Sequence, residues 1–99
     1  MITVTIAPTT TPAGKLADAE VIFTEGPFAG LRLVGFGLWE RRGGGRAVTM
    51  PSRSYDVNGQ RRTFALLRPA TATDGPAADR LRDIISAAYD THMQTKGAK

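Results

Sequence analysis

Arginine is the residue type in this chain with the most recognisable chemistry. Ten of the thirteen basic residues are arginine. Seven of them (Arg41, Arg42, Arg46, Arg53, Arg61, Arg62 and Arg68) lie between Glu40 and Arg68, where the only acids are Glu40 and Asp56. That segment carries +5, while the rest, with six bases and seven acids, carries −1. A guanidinium is planar, always charged and forked, so it grips phosphate through two parallel hydrogen bonds. A local excess of such groups points to a polyanion partner; keeping the surface soluble is the plainer use of the same residues. Pro51 ends a strand by lacking a backbone donor, so Ser52 and Arg53 are expected to project from a sheet rim with Tyr55 close behind. A serine, an arginine and a tyrosine placed there can contact phosphate and stack on a base or ribose, although the corner also reads as a rigid turn capped by Ser52.

Other arginines are candidates for the same surface. Arg41, Arg42 and Arg46 flank three glycines and make a flexible basic finger. Arg61 and Arg62 are adjacent, so they leave opposite faces of a strand and one of the pair shares a site with Arg53. Arg80 and Arg82 stand about 200° apart on an ideal helix. One of them faces the partner, unless it pairs with Asp79 or Asp83 one turn away. Trp39 is either a stacking platform beside Arg41 or an ordinary core or interface aromatic.

Catalysis lacks its parts. General acid–base and nucleophilic chemistry need a base positioned beside a nucleophile, and the chain has one histidine, His92, with three serines, Ser52, Ser54 and Ser86. His92 continues the apolar stripe of a C-terminal helix and is expected to pack there. There is no cysteine, which removes disulfides, thiolate zinc sites and cysteine nucleophiles together. Asp18, Glu20 and Glu25 are too loosely grouped for an oxygen cage. Gly43-Gly44-Gly45 lacks the Gly-Lys-Ser/Thr ending of a phosphate loop, and Gly35-Phe36-Gly37 lies inside an apolar run. Neither an enzyme nor a cofactor, metal or small-molecule substrate is expected.

The elements that must position the arginines are legible in outline. Ninety-nine residues make one domain, because two would each be too small to sustain a core. We place it at residues 1–95, with a frayed tail at 96–99. Ile2, Val4 and Ile6 alternate with Thr3 and Thr5 as a half-buried strand does. Pro8 to Gly14 reads as a loop, Glu20 to Thr24 as a second strand, and Gly26-Pro27 as a turn. In Leu31 to Glu40, Leu31 and Leu33 share one parity while Val34, Phe36 and Leu38 share the other. A strand cannot change face without an extra residue, so a bulge is expected near Val34–Gly35. Arg41 to Arg46 is a hairpin loop, and Ala47 to Met50 a short strand. Asn58-Gly59 is a hairpin turn, and Gln60 to Leu67 a further strand. Leu81, Ile84, Ile85, Ala88, Tyr89 and His92 then recur at helical spacing, with Pro76 in the first turn and Asp74 or Gly75 at the cap. The sum is α+β: an antiparallel sheet of about five strands with one C-terminal amphipathic helix packed on it.

Ala47-Val48-Thr49-Met50-Pro51-Ser52-Arg53 resembles the Phe-Val-Ala-Met-Pro-Ser-Arg/Lys signature of a bacterial septation-regulator family, stage V sporulation protein G (SpoVG). In that family the motif follows a glycine-rich turn, here Gly43-Gly44-Gly45. A short Asp/Gly loop, a strand ending in proline and a helix with Ala and Tyr come next, here Asp56 to Gly59, Arg61 to Pro69, and Pro76 to Gln94 with Ala87-Ala88-Tyr89. The likeness covers most of the chain in order, its specific part being Met-Pro-Ser-Arg. Arg68 stands where the family usually has the histidine of an Asp-Ile-Ala-His-Pro ending, the stretch from Gly26 to Gly30 and the loop before Asn58 also differ, and the N-terminal strands match only in pattern. The resemblance implies a small dimeric protein without a catalytic site that binds DNA and RNA and regulates cell division, sporulation or gene expression.

Two further expectations follow from the chain itself. A sheet covered by one helix leaves exposed edges and more apolar residues than the helix covers, so pairing of two copies about a twofold axis is expected. The start of the chain has no basic stretch followed by a long apolar run, and no window is long enough to span a bilayer, so a cytoplasmic location is the default. A non-catalytic interaction module whose basic surface meets an acidic protein is the alternative to nucleic-acid binding.

Overall fold

Alternating apolar and threonine residues form β1 (Ile2–Pro8), an edge of a four-stranded antiparallel sheet in the computed structural model, which describes residues 1–97 and the side chains of residues 1–94. β2 (Lys15–Phe23), β3 (Arg32–Glu40) and β4 (Arg46–Thr49) follow in order, so neighbours in the sheet are also neighbours in sequence. A separate two-stranded ribbon, β5 (Ser52–Val57) and β6 (Gln60–Ala65), comes next, and α1 (Gly75–Gly97) completes the architecture. The class is α+β, with six strands divided between two sheets. Of the expected tail at 96–99, residues 98–99 lie outside the described residues, and α1 itself runs to Gly97. No helix among the described residues is long and apolar enough to cross a membrane.

The register explains the core. Ile6 lies opposite Ala19 and Ala19 opposite Phe36; Val4 lies opposite Val21 and Val21 opposite Leu33; Ala17 lies opposite Leu38. Directly opposed residues share a face, so these side chains form one apolar layer. Ile85 of α1 is fully buried against it, with Leu81, Ala88 and Tyr89 packed alongside. Ile84, expected in the same stripe, is 46% exposed: the helix buries a stripe centred on Ile85, and a residue 100° away falls outside it. β2 begins five residues before the expected Glu20. Its added inward positions, Ala17 and Ala19, are buried, but alanine contributes little hydrophobic contrast and disfavours strands.

Asp74 directly precedes α1, and its carbonyl accepts the Ala77 N–H at 3.0 Å. Its carboxylate turns back to accept from the Thr71 N–H and hydroxyl at 3.1 and 2.7 Å. Asp74 thus caps the helix through its backbone and uses its side chain to close the preceding turn.

β3 changes face where the parity of its apolar residues requires. The ladder to β2 runs from Ala19–Phe36 to Val21–Leu33, so Glu20 alone faces both Val34 and Gly35. That bulge brings Leu33 and Phe36, three residues apart, onto the inner layer. Gly35 has φ +109°, and a Cβ there would stand 3.1 Å from the Pro51 Cβ. Pro51 is buried, and the β3–β4 ladder ends two residues before it at Gly37–Thr49. Bulge and proline therefore meet where the four-stranded sheet stops, and the chain leaves to build the ribbon. The Leu66 N–H donates to the Pro51 carbonyl at 2.7 Å across the ribbon's base. Asn58 and Gly59, with φ of +51° and +80°, turn its tip, as a two-residue hairpin connection requires. Among the described residues, β5 and β6 hydrogen-bond to no other strand. The radius of gyration, 15.0 Å, exceeds the roughly 13 Å of a compact chain of this length, as a projecting arm would make it.

Candidate nucleic-acid interface

The ribbon sorts its residues by parity. Arg53 lies opposite Phe64, Tyr55 opposite Arg62, and Val57 opposite Gln60, so these six share one face. Ser52, Ser54 and Asp56, opposite Ala65, Thr63 and Arg61, share the other. The first face is a checkerboard with an arginine diagonal, Arg53 and Arg62, crossing an aromatic diagonal, Tyr55 and Phe64. The two rings meet edge to face, 5.5 Å apart at 66°. Both are well exposed, and neither arginine has a carboxylate within 4.0 Å among the described residues. Arg62 makes only a long hydrogen bond, 3.4 Å, to its strand neighbour Gln60. The one acid of the ribbon, Asp56, is on the opposite face. On that polar face the hydroxyls of Ser54 and Thr63 are 3.2 Å apart.

Several expectations for the site are redrawn by this geometry. Ser52 does not join Arg53 and Tyr55, because adjacent strand residues point to opposite sides. Of the Arg61–Arg62 pair, Arg62 is the one that shares the face of Arg53. Phe64 shares that face with Arg53, Tyr55 and Arg62, and residue type alone does not single it out. Its signal was the two-residue turn: counting outward from Asn58-Gly59 pairs Val57 with Gln60, Tyr55 with Arg62 and Arg53 with Phe64.

The remaining arginines are dispersed. Arg41 and Arg42 lie exposed in the glycine loop that opens β4, whereas the ribbon starts beyond its far end, about 13 Å of strand away. Arg46 is no part of a flexible finger. Its guanidinium donates to the Ser86 hydroxyl at 3.0 Å and to the Asp90 carboxylate at 2.6 Å, and it lies 4.9 Å over the Tyr89 ring. It clamps β4 to α1. Arg82 pairs with Asp79 at 3.3 Å, one turn away on the helix, while Arg80 is exposed and unpaired among the described residues. Arg68 lines an apolar groove of about 420 Å³ with Met50, Leu67 and Leu81. Trp39 is held inside the sheet's outer layer: its indole N–H donates to the Thr49 hydroxyl at 3.2 Å, and Lys15 lies 5.5 Å over the ring. It does not serve as a free platform. Among the described residues, no three His, Asp or Glu side chains gather to hold a metal ion.

The Arg46 clamp yields a direct expectation. Arg46→Met keeps the stem but removes the charge-assisted hydrogen bonds and the cation–ring contact, which should cost about 2 kcal/mol of stability in chemical denaturation. Polyanion affinity should stay within twofold. A variant of unchanged stability that binds tenfold more weakly would put Arg46 back in the interface.

In comparisons with known proteins, no protein-family model, curated protein or solved structure matches this chain.

Proposed function

We propose that the protein is a non-catalytic nucleic-acid-binding regulator of the stage V sporulation protein G type, working in the cytoplasm as a homodimer. The observation that carries the reading is the exposed ribbon face on which two arginines, without carboxylate partners among the described residues, alternate with two aromatic rings. Guanidinium groups bind phosphate whatever the base sequence, and aromatic rings between them favour a partner that also has flat apolar surface. The Met50-Pro51-Ser52-Arg53 motif that underlies the family resemblance is the segment that starts this ribbon.

Gel-shift assays with random single-stranded and duplex DNA and RNA at two salt concentrations test the proposal. Each phosphate neutralised contributes about −0.7 to the log–log salt slope on single strands and about −0.9 on duplex. Arg53→Ala should therefore weaken binding several-fold and flatten the slope by one such increment. Its melting temperature should stay nearly unchanged, since the side chain touches no core. A flat salt profile for the unaltered protein, or a large loss of stability in Arg53→Ala, would overturn this reading.

Free strand edges at β1 and β4, with exposed Phe28 and Leu31 beside the sheet and exposed Val34 on β3, support the dimer, which would carry two ribbons. Sedimentation that finds only a 10.6 kDa species at micromolar concentration rules the dimer out.

A further inference from the structure

Resting on the nucleic-acid reading above, we infer that the ribbon face takes single strands and not closed duplex: bases turned out of the stack lie on Tyr55 and Phe64 while adjoining phosphates meet Arg53 and Arg62.

The argument begins with what would cover the rings. Tyr55 and Phe64 are 43% and 39% exposed, on a ribbon that no other strand supports. Covering them is favourable only if the partner offers apolar or π surface. A duplex hides the faces of its bases in the stack and presents sugar, phosphate and groove edges that are polar apart from the thymine methyl groups, so it offers two aromatic rings no π surface to stack on. A two-stranded ribbon fits the major groove in width, but this one would press two aromatic rings at the centre of its face against base-edge donors and acceptors. Those groups would lose water without gaining partners, which is costly. A single strand presents the opposite surface. Its bases can splay, every base has a π-face, and aromatic side chains accept them with little regard to sequence.

The charges fit the same substrate. Arg53 and Arg62 are diagonal neighbours, about 7–8 Å apart between strands, and they flank the aromatic diagonal on both sides. A strand laid along the rings therefore has a guanidinium within reach of its backbone on either side. The edge-to-face pairing, at 66°, leaves ring surface uncovered for a base. Asp56, which would repel phosphate, is on the back of the ribbon beside Arg61. One face is thus suited to a flexible polyanion with exposed bases, and the other carries hydroxyls, an acid and a single arginine but no ring.

The test is fluorescence anisotropy with labelled 20-mers of oligo-dT and oligo-U as two single-stranded arms and a mixed-sequence 20-base-pair DNA as the duplex arm. Tyr55→Leu and Phe64→Leu keep apolar bulk but remove the π-face. Each should lower single-strand affinity roughly tenfold, leave duplex affinity within threefold, and leave the salt slope unchanged because no charge is lost. Tyr55→Phe and Phe64→Tyr keep the rings and should retain single-strand affinity within threefold. Should the leucine variants fail to fold, these ring-keeping variants decide, together with photo-crosslinking of an oligonucleotide carrying 5-iodouracil. Crosslinks should map to Tyr55 or Phe64 of the unaltered protein.

Leucine variants that lose as much on duplex as on single strands, tighter binding of the unaltered protein to duplex, or crosslinks confined to residues outside the ribbon would overturn the single-strand assignment while leaving nucleic-acid binding standing. An unaltered protein that binds none of the three probes at low salt would instead sink the functional reading beneath it. The dT and U arms show separately whether DNA, RNA or both are accepted.

Discussion

A protein from which the ribbon has been cut, with Pro51 joined to Leu66 through Asn-Gly, should fold normally and lose nearly all affinity for nucleic acid. The structure makes the cut simple. The Leu66 N–H already donates to the Pro51 carbonyl at 2.7 Å, which is the hydrogen bond that closes a four-residue β-turn. The excised residues pair only with each other, and none is in the buried core. The unfolding free energy should therefore change by less than about 1 kcal/mol, as for surface changes clear of caps, networks and cavities. Binding loses Arg53, Arg61 and Arg62 together with both rings, and a fall of at least a hundredfold follows from two stacking contacts and the phosphate contacts combined. Calorimetry and the gel-shift assay measure the two quantities on one preparation. A ribbonless protein that still binds within fivefold would move the interface to the Arg41–Arg42 loop or the helix.

Gly35→Val should be the most damaging single substitution outside the apolar layer. Two penalties add at this position. At φ +109° a β-branched residue is in backbone space that only glycine occupies easily, which costs on the order of 1–3 kcal/mol. The new Cβ would also stand 3.1 Å from the Pro51 Cβ, and forcing atoms into a packed site costs about as much again. A loss of about 4 kcal/mol is expected, a large part of the total stability of so small a domain. Urea denaturation should show a lower midpoint with a similar slope. Gly35→Ala should lose less, since it adds the Cβ without further branching. A loss under 1 kcal/mol for Gly35→Val would mean that the bulge relaxes freely and does not fix where the ribbon departs.

What could be read from the sequence, and what could not, divides along burial. The bulge at Val34–Gly35 was legible because Leu33 and Phe36 both needed the core and their parity forbade a regular strand. The helix was legible because Leu81, Ile85, Ala88 and Tyr89 repeat at its period, and Pro76 marks its start. β5 left no such pattern. Ser52–Val57 has both faces in solvent, so nothing forces apolar and polar residues to alternate, and a rim or loop was the natural reading. For the same reason the site was only half legible. Arg53, Tyr55 and Arg62 stand out as candidates by residue type, but that Ser52 lies on the other face and Phe64 on theirs depends on strand pairing. The place of Arg46 is not legible in the sequence, because Ser86, Tyr89 and Asp90, which hold it, are about forty residues away and leave no local trace.

The two-residue period of the ribbon constrains how this surface can diversify. Inserting one residue in either strand exchanges front and back for everything between the insertion and the tip, and would bring Asp56 or Thr63 round to the side that now carries the rings. Inserting a residue pair in both strands instead lengthens the arm by about 7 Å and adds another rung to the same side. New side chains can thus accumulate in even steps at the tip while the packed layer beneath α1 keeps its composition, so the ribbon's surface and the stability of the fold are free to change on separate tracks.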